Sequence, residues 1–330
     1  MCLRVNWPAP LLDNESNPLI PLILTFTYKC DLLINGACHY DPTADPEATK
    51  KEDAFRANMW STITMLGGSQ CSPTAEKQSW TAAWSSNCPA STCLTCLTGD
   101  SLRGNMTVHF YDDKACRNAV KQEHALLLDH FDMETSGPYR ADMCRGAALL
   151  KHGGHYFDLD MKVRTDTTKL ISHGTTFVSV VMRLDAQEER HLRLTDPDGS
   201  TDRLAAGQFF QAFIAVTPDN AIMRYYMEEM TRWYNTQGTS GKDERLLGPA
   251  AIHDAYLRAM QESTQQVQLW YEDKLQKVKD ISVRASADVD NGENGRCGGA
   301  SQFVVYDPLS DTVPFFSRTE ATSQGIVCSS

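Results

Sequence analysis

Short apolar runs alternate along the chain with longer segments of helical periodicity. Four runs rich in β-branched and aromatic residues predict buried strands, at residues 21–28, 106–111, 176–183 and 209–216. Helical spacing is clearest over residues 51–66, where one side carries Phe55, Met59, Ile63 and Leu66. Because strands and helices take turns along one chain, the pattern predicts an α/β fold with a central, mostly parallel sheet flanked by helices.

The segment 139–161 carries the most informative chemistry. A predicted helix ends at two glycines and is followed by a strand that leads to Asp158 and Asp160. Strand side chains alternate between faces, so we expect these two carboxylates to project together, away from Phe157, Leu159 and Met161. Hard divalent ions such as Mn²⁺ or Mg²⁺ take few carboxylate ligands and leave positions open for substrate phosphates. The pair therefore indicates an enzyme that holds a diphosphate through a metal ion.

Length and charge narrow the class of protein. A chain of 330 residues with 42% hydrophobic and 22% charged residues fits one large α/β domain or two modest ones. The formal net charge of -11 argues against nucleic-acid binding, which needs a basic surface. No apolar run approaches the roughly 20 residues that span a bilayer. We therefore expect no transmembrane segment in this chain, and its first residues show no secretory signal or anchor.

The eleven cysteines leave open both their bonding state and the cellular compartment. Cys93 and Cys96 form a C-x-x-C pair with Cys88 nearby, which makes a structural zinc site one alternative. Disulfides in an oxidising lumen and free thiols in the cytosol are the other two. The compartment stays open on this criterion.

The order of motifs in the key segment resembles the sugar-binding region of family 32 glycosyltransferases, which include fungal α-1,6-mannosyltransferases. R-A-D-x-x-R begins at Arg140, K-x-G-G ends at Gly154, and Y-x-D-x-D ends at Asp160. The first strand with Thr27 and Tyr28, the Q-F-x-Q-like stretch ending at Gln211 and the turn with Gly248 extend the likeness. The resemblance covers roughly residues 18–260.

The resemblance implies a GT-A-type nucleotide-sugar-binding fold and retaining transfer of a hexose. By it, Asp158 and Asp160 bind the metal ion, Mn²⁺ or Mg²⁺, and Asp142 and Arg145 are the catalytic residues that contact the donor sugar. The remaining matched positions are implied in substrate binding, with Tyr28 packing on the base and Tyr156 near the nucleotide: Thr27, Tyr28, Arg140, Gly154, Tyr156, Gln211 and Gly248.

The same resemblance sets expectations for organisation and partners. We expect an irregular lead-in over residues 1–17, a catalytic domain over 18–260 with a Cys/Ser/Thr-rich insertion at 69–105, and a C-terminal extension over 261–330 that packs on the catalytic domain. The donor is GDP-mannose or a UDP-hexose, and the acceptor a glycan or glycolipid. Golgi or secretory-lumen location follows from the resemblance alone.

Three alternatives stay open at this point. The carboxy-terminal part departs from the family pattern and leaves the third metal ligand unassigned, with Asp307 and Asp311 as weak candidates, so a catalytically silent sugar-nucleotide- or glycan-binding relative is one alternative. A metal-dependent phosphodiester hydrolase that uses the same aspartates is the second. A zinc hydrolase built on His152, His155 and Asp158 is the third.

Overall fold

The computed structural model describes residues 20–33, 46–67, 80–82, 88–97, 105–182, 209–237, 247–262, 265–274 and 303–317. The predicted lead-in at 1–17 lies outside the described residues. Six α-helices fall within them: α1 (Pro46–Gly67), α2 (Asp113–Glu123), α3 (Leu128–Met133), α4 (Gly137–His152), α5 (Ala221–Gln237) and α6 (Leu247–Glu262). No helix of the described part is long and apolar enough to cross a membrane.

The described strands join in one sheet of eleven. They are β1 (Ile23–Thr27), β2 (Trp80–Ala82), β3 (Thr92–Leu97), β4 (Asn105–Tyr111), β5 (Gly154–Phe157), β6 (Lys162–Val163), β7 (Phe177–Met182), β8 (Phe209–Val216), β9 (Val267–Lys274), β10 (Phe303–Asp307) and β11 (Thr312–Ser317). Their order across the sheet is β2-β3-β4-β1-β5-β8-β7-β9-β10-β11-β6.

The predicted α/β architecture is confirmed, but the sheet is mixed rather than mostly parallel. Strand β1 runs parallel to β4 and β5, and β7 runs parallel to β9. The other neighbouring pairs in the described part are antiparallel. Short turns, such as the one from β10 to β11, force antiparallel pairing, whereas parallel strands need a long crossover. The parallel trio of β4, β1 and β5 carries the key motifs, and the pair β7 and β9 forms a second parallel part.

The sheet separates two hydrophobic cores. Helices α2 to α6 pack on one face, where α4 contributes Met143 and Ala147 and α5 contributes Tyr226. Helix α1 covers the other face with the predicted stripe, Phe55, Met59, Ile63 and Leu66, all of them buried. Helical periodicity therefore located both the helix and its buried side correctly.

Two glycines connect α4 to β5. Gly153 has φ +61°, and a Cβ there would lie 2.6 Å from the carbonyl oxygen of Val216. Gly154 has φ +93°, and a Cβ there would overlap Ile23 of the adjacent β1. A side chain at either position is excluded by backbone conformation and by space. The predicted helix stop is thus also what lets β5 lie against β1.

The predicted insertion at 69–105 and the predicted C-terminal extension at 261–330 both contribute strands to the sheet. Part of the 69–105 segment forms β2 and β3, which pair next to β4 at one end of the sheet. Part of the 261–330 segment forms β9, β10 and β11, which pair in the same sheet as the segments before it. Strand pairing across the proposed border at residue 260 joins the two segments, and the border itself stays a prediction.

Candidate functional site

A cavity of about 520 Å³ opens where β1, β4 and β5 end. Ligands of parallel sheets bind at the carboxyl ends of the strands, and the volume lies in the range of roughly 300–1,000 Å³ that small-molecule sites occupy. Seven of the residues predicted for the site line this cavity: Thr27, Tyr28, Arg140, Arg145, Tyr156, Asp158 and Asp160.

The two aspartates reach the cavity from a turn rather than from a strand. Strand β5 ends at Phe157, and the amide of Met161 donates to the carbonyl oxygen of Asp158 at 3.3 Å. The amide of Asp158 is still held by Ala212 of β8, at 2.8 Å. Phe157, Leu159 and Met161 are buried in the opposite core, as predicted. The strand is shorter than expected, yet the alternation of apolar and acidic residues continues through the turn.

Tyr156 connects the first strand to the acidic turn. Its hydroxyl donates to Asp158 Oδ1 at 2.7 Å and lies 3.1 Å from Thr27 Oγ1. Burial raises the pKa of Tyr156 well above its ordinary value, so the side chain stays a neutral phenol and a hydrogen-bond donor. This bond fixes one oxygen of the Asp158 carboxylate, whose side chain remains 33% exposed to the cavity.

Arg145 is the buried cation of the site. Its Nη1 donates to the carbonyl oxygen of Gln211 at 2.6 Å, and its Nη2 lies 2.8 Å from Asp142 Oδ1 and 3.6 Å from Asp158 Oδ1. The guanidinium also stacks 4.4 Å from the centre of the Tyr156 ring. Burial lowers the pKa of Arg145, but Tyr156, Asp158 and Asp142 raise it by more, so it stays charged. One side chain thus contacts both Asp142 and Asp158.

Asp142 lies behind Arg145 and does not line the cavity. It is 3% exposed, and its Oδ1 accepts a hydrogen bond from Gln211 Nε2 at 2.7 Å. Burial raises the pKa of Asp142 to about 6, although Arg145 and Gln211 favour the charged form. The structure therefore places Asp142 where it orients Arg145.

Gln211 and Gly248 complete the surroundings of Asp142. The Oε1 atom of Gln211 accepts from the Tyr226 hydroxyl at 3.0 Å, which fixes the orientation of the amide. Gly248 lies in the first turn of α6, and a Cβ there would overlap both Gln211 and Asp142. Both residues, predicted to bind substrate, contact the buried carboxylate instead of lining the cavity.

The remaining predicted residues divide between the cavity and the sheet. Tyr28 lines the cavity and meets Phe55 of α1 edge to face, with ring centres 5.6 Å apart. Arg140 also lines it and pairs with Asp113 of α2 at 2.9 Å. Gly154 lies at the other end of β5 from Asp158, packed on Ile23, and the structure does not bring it to the cavity.

Several residues that line the cavity were not predicted from the sequence, among them Phe55, Asp113 and Cys116. Phe55 carried a helical-stripe signal that indicated only core packing, and Asp113 stood in an acidic turn with no assigned role. Cys116 lines the cavity wall and forms a disulfide with Cys144, which joins α2 to α4. No local pattern pairs cysteines whose sequence separation is 28.

The structure supports neither the structural zinc site at the cysteines nor the zinc hydrolase site at His152, His155 and Asp158. Cys88 and Cys93 form a disulfide with each other. His155 is buried, and burial lowers its pKa to about 4, although the charge of Asp166 raises it. The described residues hold no group of three His, Cys, Asp or Glu side chains arranged for a metal.

Asp307 and Asp311 belong to the β10–β11 hairpin. Asp307 is fully buried and accepts hydrogen bonds from the amides of Leu309 and Ser310, at 3.1 and 3.2 Å. Asp311 has φ +55° and accepts from the Tyr306 hydroxyl. Neither residue lines the cavity, so the hairpin accounts for both.

Comparison with known proteins adds the reaction class. Residues 75–177 match a family profile described as "Glycosyltransferase sugar-binding region containing DXD motif". No curated protein matches the chain. Among solved structures, the PaToxG glycosyltransferase is similar at 16% identity, over 73% of this chain and 70% of that one, with a TM-score of 0.39. The profile match, which includes both aspartates and the whole of α4, supports a glycosyltransferase.

Proposed function

We propose that the chain is a metal-dependent, retaining glycosyltransferase of GT-A type that moves a hexose from a nucleotide-sugar donor to a glycan or glycolipid acceptor. The observation that carries this proposal is the convergence of Asp158, Asp160 and Arg145 on one cavity, inside the region that matches the family profile. A metal-binding pair beside a buried arginine suits a ligand that carries a diphosphate.

The donor set of the cavity fits Mn²⁺ or Mg²⁺. Asp158 and Asp160 supply carboxylate oxygens, and a site with few protein ligands is what these ions use when substrate phosphates complete the coordination. We assign both aspartates as the residues that would hold the ion. When bound, a divalent ion neutralises the charge that develops on the diphosphate leaving group.

The chain's own residues have separate roles in this proposal. Arg145 keeps a positive charge at the cavity wall, beside the place where the glycosyl–phosphate bond breaks. Asp142 and the carbonyl oxygen of Gln211 contact the guanidinium, and Gly248 packs against both residues. The charge is therefore in place before the donor binds and costs little reorganisation. The described cavity lining offers no carboxylate apart from Asp113 and the metal-binding pair, so we favour front-face displacement over a covalent intermediate.

Donor binding and turnover together test the proposal. We expect a sugar nucleotide with Mn²⁺ to raise the melting temperature of the chain, because a ligand that binds only the folded state stabilises it by mass action. Asp160→Asn should abolish the shift and the turnover, whereas Asp129→Asn, a charge change at an exposed position of α3, should leave both unchanged.

The products separate the remaining alternatives. Transfer of the sugar to an added glycan or glycolipid supports the proposal, and release of free sugar at the same rate without acceptor indicates a hydrolase. Binding without turnover of any donor indicates a silent relative. Absence of binding for every sugar nucleotide with Mn²⁺ would contradict the proposal.

A further inference from the structure

The turn that carries the two metal-binding aspartates is held by a side chain of α1. Nδ2 of Asn58 donates a hydrogen bond to the carbonyl oxygen of Leu159 at 3.0 Å, across a sequence separation of 101. Leu159 stands between Asp158 and Asp160 in the sequence. Asn58 lies outside the region that matches the family profile, residues 75–177. The contact therefore connects a helix outside that region to the middle of the metal-binding pair.

This hydrogen bond fixes one particular peptide plane. The carbonyl group of Leu159 and the amide of Asp160 belong to the same peptide unit, which is planar. Holding the carbonyl oxygen therefore also holds the direction in which the chain enters Asp160. Rotation of the plane, through ψ of Leu159 and φ of Asp160, would move the Asp160 carboxylate relative to that of Asp158.

Three consecutive peptide units of the turn each have a hydrogen bond of this kind. The unit before Asp158 donates through the Asp158 amide to the carbonyl oxygen of Ala212 in β8, at 2.8 Å. The next unit accepts through the Asp158 carbonyl oxygen from the Met161 amide, at 3.3 Å. The third unit, which leads into Asp160, is the one that accepts from Asn58. Loss of the α1 side chain would therefore release the unit that places the second aspartate.

Helix α1 is itself tied to the segment that follows β1. The buried Glu52 has its Oε1 3.7 Å from Nζ of Lys29, and Nε of Arg56 donates to the carbonyl oxygen of Leu32 at 3.1 Å. The apolar stripe of α1 belongs to the same buried core as the Leu159 side chain. A donor on a helix with these contacts is in place before an ion arrives, which is what a precise site requires.

The placement of the two carboxylates decides how well they bind an ion. Mg²⁺ demands near-octahedral geometry, and a site with few protein ligands has little redundancy to correct a misplaced one. We propose that Asn58 is a positioning residue for the metal site, which holds the Leu159 carbonyl group and so sets the position of Asp160 relative to Asp158. This inference rests on the proposed function, which assigns both aspartates to the ion.

Titration of the full chain with Mn²⁺ alone, followed by the electron paramagnetic resonance signal of the free ion, tests the inference. Asn58→Ala should bind Mn²⁺ about 10- to 100-fold more weakly than the wild type, the range typical for loss of a residue that orients metal ligands. In turnover of a sugar nucleotide, the Mn²⁺ concentration at half-maximal rate should rise by a similar factor, while kcat at saturating Mn²⁺ stays close to the wild-type value. Loss of kcat with unchanged Mn²⁺ affinity would contradict the inference.

A variant of the same residue separates the hydrogen bond from charge. Asn58→Asp keeps the size of the side chain, adds a negative charge and replaces the donor by an oxygen that cannot donate when ionised. It should bind Mn²⁺ about as weakly as Asn58→Ala. Tighter binding than the wild type would overturn the inference, because position 58 would then act through its charge.

A matched control in the same helix separates positioning from general stability. Arg56→Met removes a donor to another carbonyl oxygen, that of Leu32, and should bind Mn²⁺ like the wild type even where its melting temperature falls. Equal weakening in Arg56→Met and Asn58→Ala would overturn the inference. If the wild type binds no Mn²⁺, the metal site of the proposed function fails as well. If the wild type and Asn58→Ala bind it equally, only the role of Asn58 is wrong.

Discussion

Arg145 is the residue on which the buried electrostatics of the site depend. It is 4% exposed and carries the positive charge that balances Asp142, which is equally buried. A buried ion pair contributes modestly as a whole, but removing one partner leaves the other charge uncompensated. The geometry of the site and the stability of the fold therefore depend on the same contact.

Replacing Arg145 tests this dependence directly. Arg145→Met should lower the free energy of unfolding at neutral pH by about 3–5 kcal/mol, because Asp142 stays buried without its cation. Adding Asp142→Asn to the same chain should restore part of the loss while activity stays absent. Urea unfolding measures the free energies, and Arg117→Met, at an exposed arginine, should change them little. A double variant less stable than the single one would contradict this account.

The helix pair α2–α4 is the element that shapes one wall of the cavity. Its disulfide bridges a sequence separation of 28, which confines the unfolded chain substantially. The Asp113–Arg140 ion pair lies at the cavity end of the same pair of helices. Stability and cavity shape are thus coupled at the level of this element.

Opening the disulfide should separate these contributions. The double substitution Cys116→Ala with Cys144→Ala should reduce the free energy of unfolding by roughly 3.5 kcal/mol and weaken donor binding. The double substitution Cys88→Ala with Cys93→Ala removes a disulfide that spans a sequence separation of only 5. It should cost less stability and leave donor binding unchanged. Chemical denaturation without reductant gives the comparison. Equal effects of the two double variants on donor binding would exclude a special role for the α2–α4 link.

Strand β4 buries a histidine that makes stability depend on pH. Burial, and then His152 with its ring centre 5.3 Å away, lowers the pKa of His109 to about 4. Between its unfolded value of about 6.5 and its folded value, the unfolded chain binds the proton more readily, so stability falls as pH falls. Above pH 6.5 this contribution is constant.

The contribution of His109 is measurable as the difference between the unfolding free energies of the wild type and His109→Gln at each pH. Unfolding free energies of the wild type should lose up to about 3 kcal/mol through His109 between pH 6.5 and pH 4. His109→Gln should lack that part of the slope. Comparing variant with wild type is necessary because Asp142, whose folded pKa is raised to about 6, contributes the opposite slope over an overlapping range. Parallel pH profiles for the two chains would rule out the assignment to His109.

At the scale of the whole molecule, sequence patterns located the elements whose burial is one-sided or complete. Strands β1, β4 and β8 and helix α1 were predicted because their apolar runs or stripes are uninterrupted, and α4 was predicted from the two glycines that end it. Strands β2 and β3 were missed because their segment is rich in Ser, Thr and Cys, and its strand structure depends on pairing next to β4. The mixture of parallel and antiparallel strands was also missed, since pairing between strands that are far apart in the sequence leaves no local signal.

The site was predictable where its residues lie in the continuous motif or, as with Thr27 and Tyr28, in the first strand that extends the likeness. Asp158, Asp160 and Arg145 came from one continuous motif, and the structure places all three on the cavity. Gln211 and Gly248 were found by likeness, but their contact with a buried carboxylate became visible only when β8 and α6 were packed on α4. Phe55 and Asp113 needed the strand order before either could be assigned to the same cavity.

The cavity and the residues that support it come from segments on both sides of the matched region. Residues 75–177 contain the acidic turn and Arg145, yet Thr27 and Tyr28 precede that region, and Gln211 and Gly248 follow it. The matched region therefore does not contain the whole site. A fragment limited to residues 75–177 would keep the motif. It would lose Tyr28 from the cavity wall and the Gln211 carbonyl that holds Arg145. Any engineered or grafted version must carry the chain at least from β1 to α6.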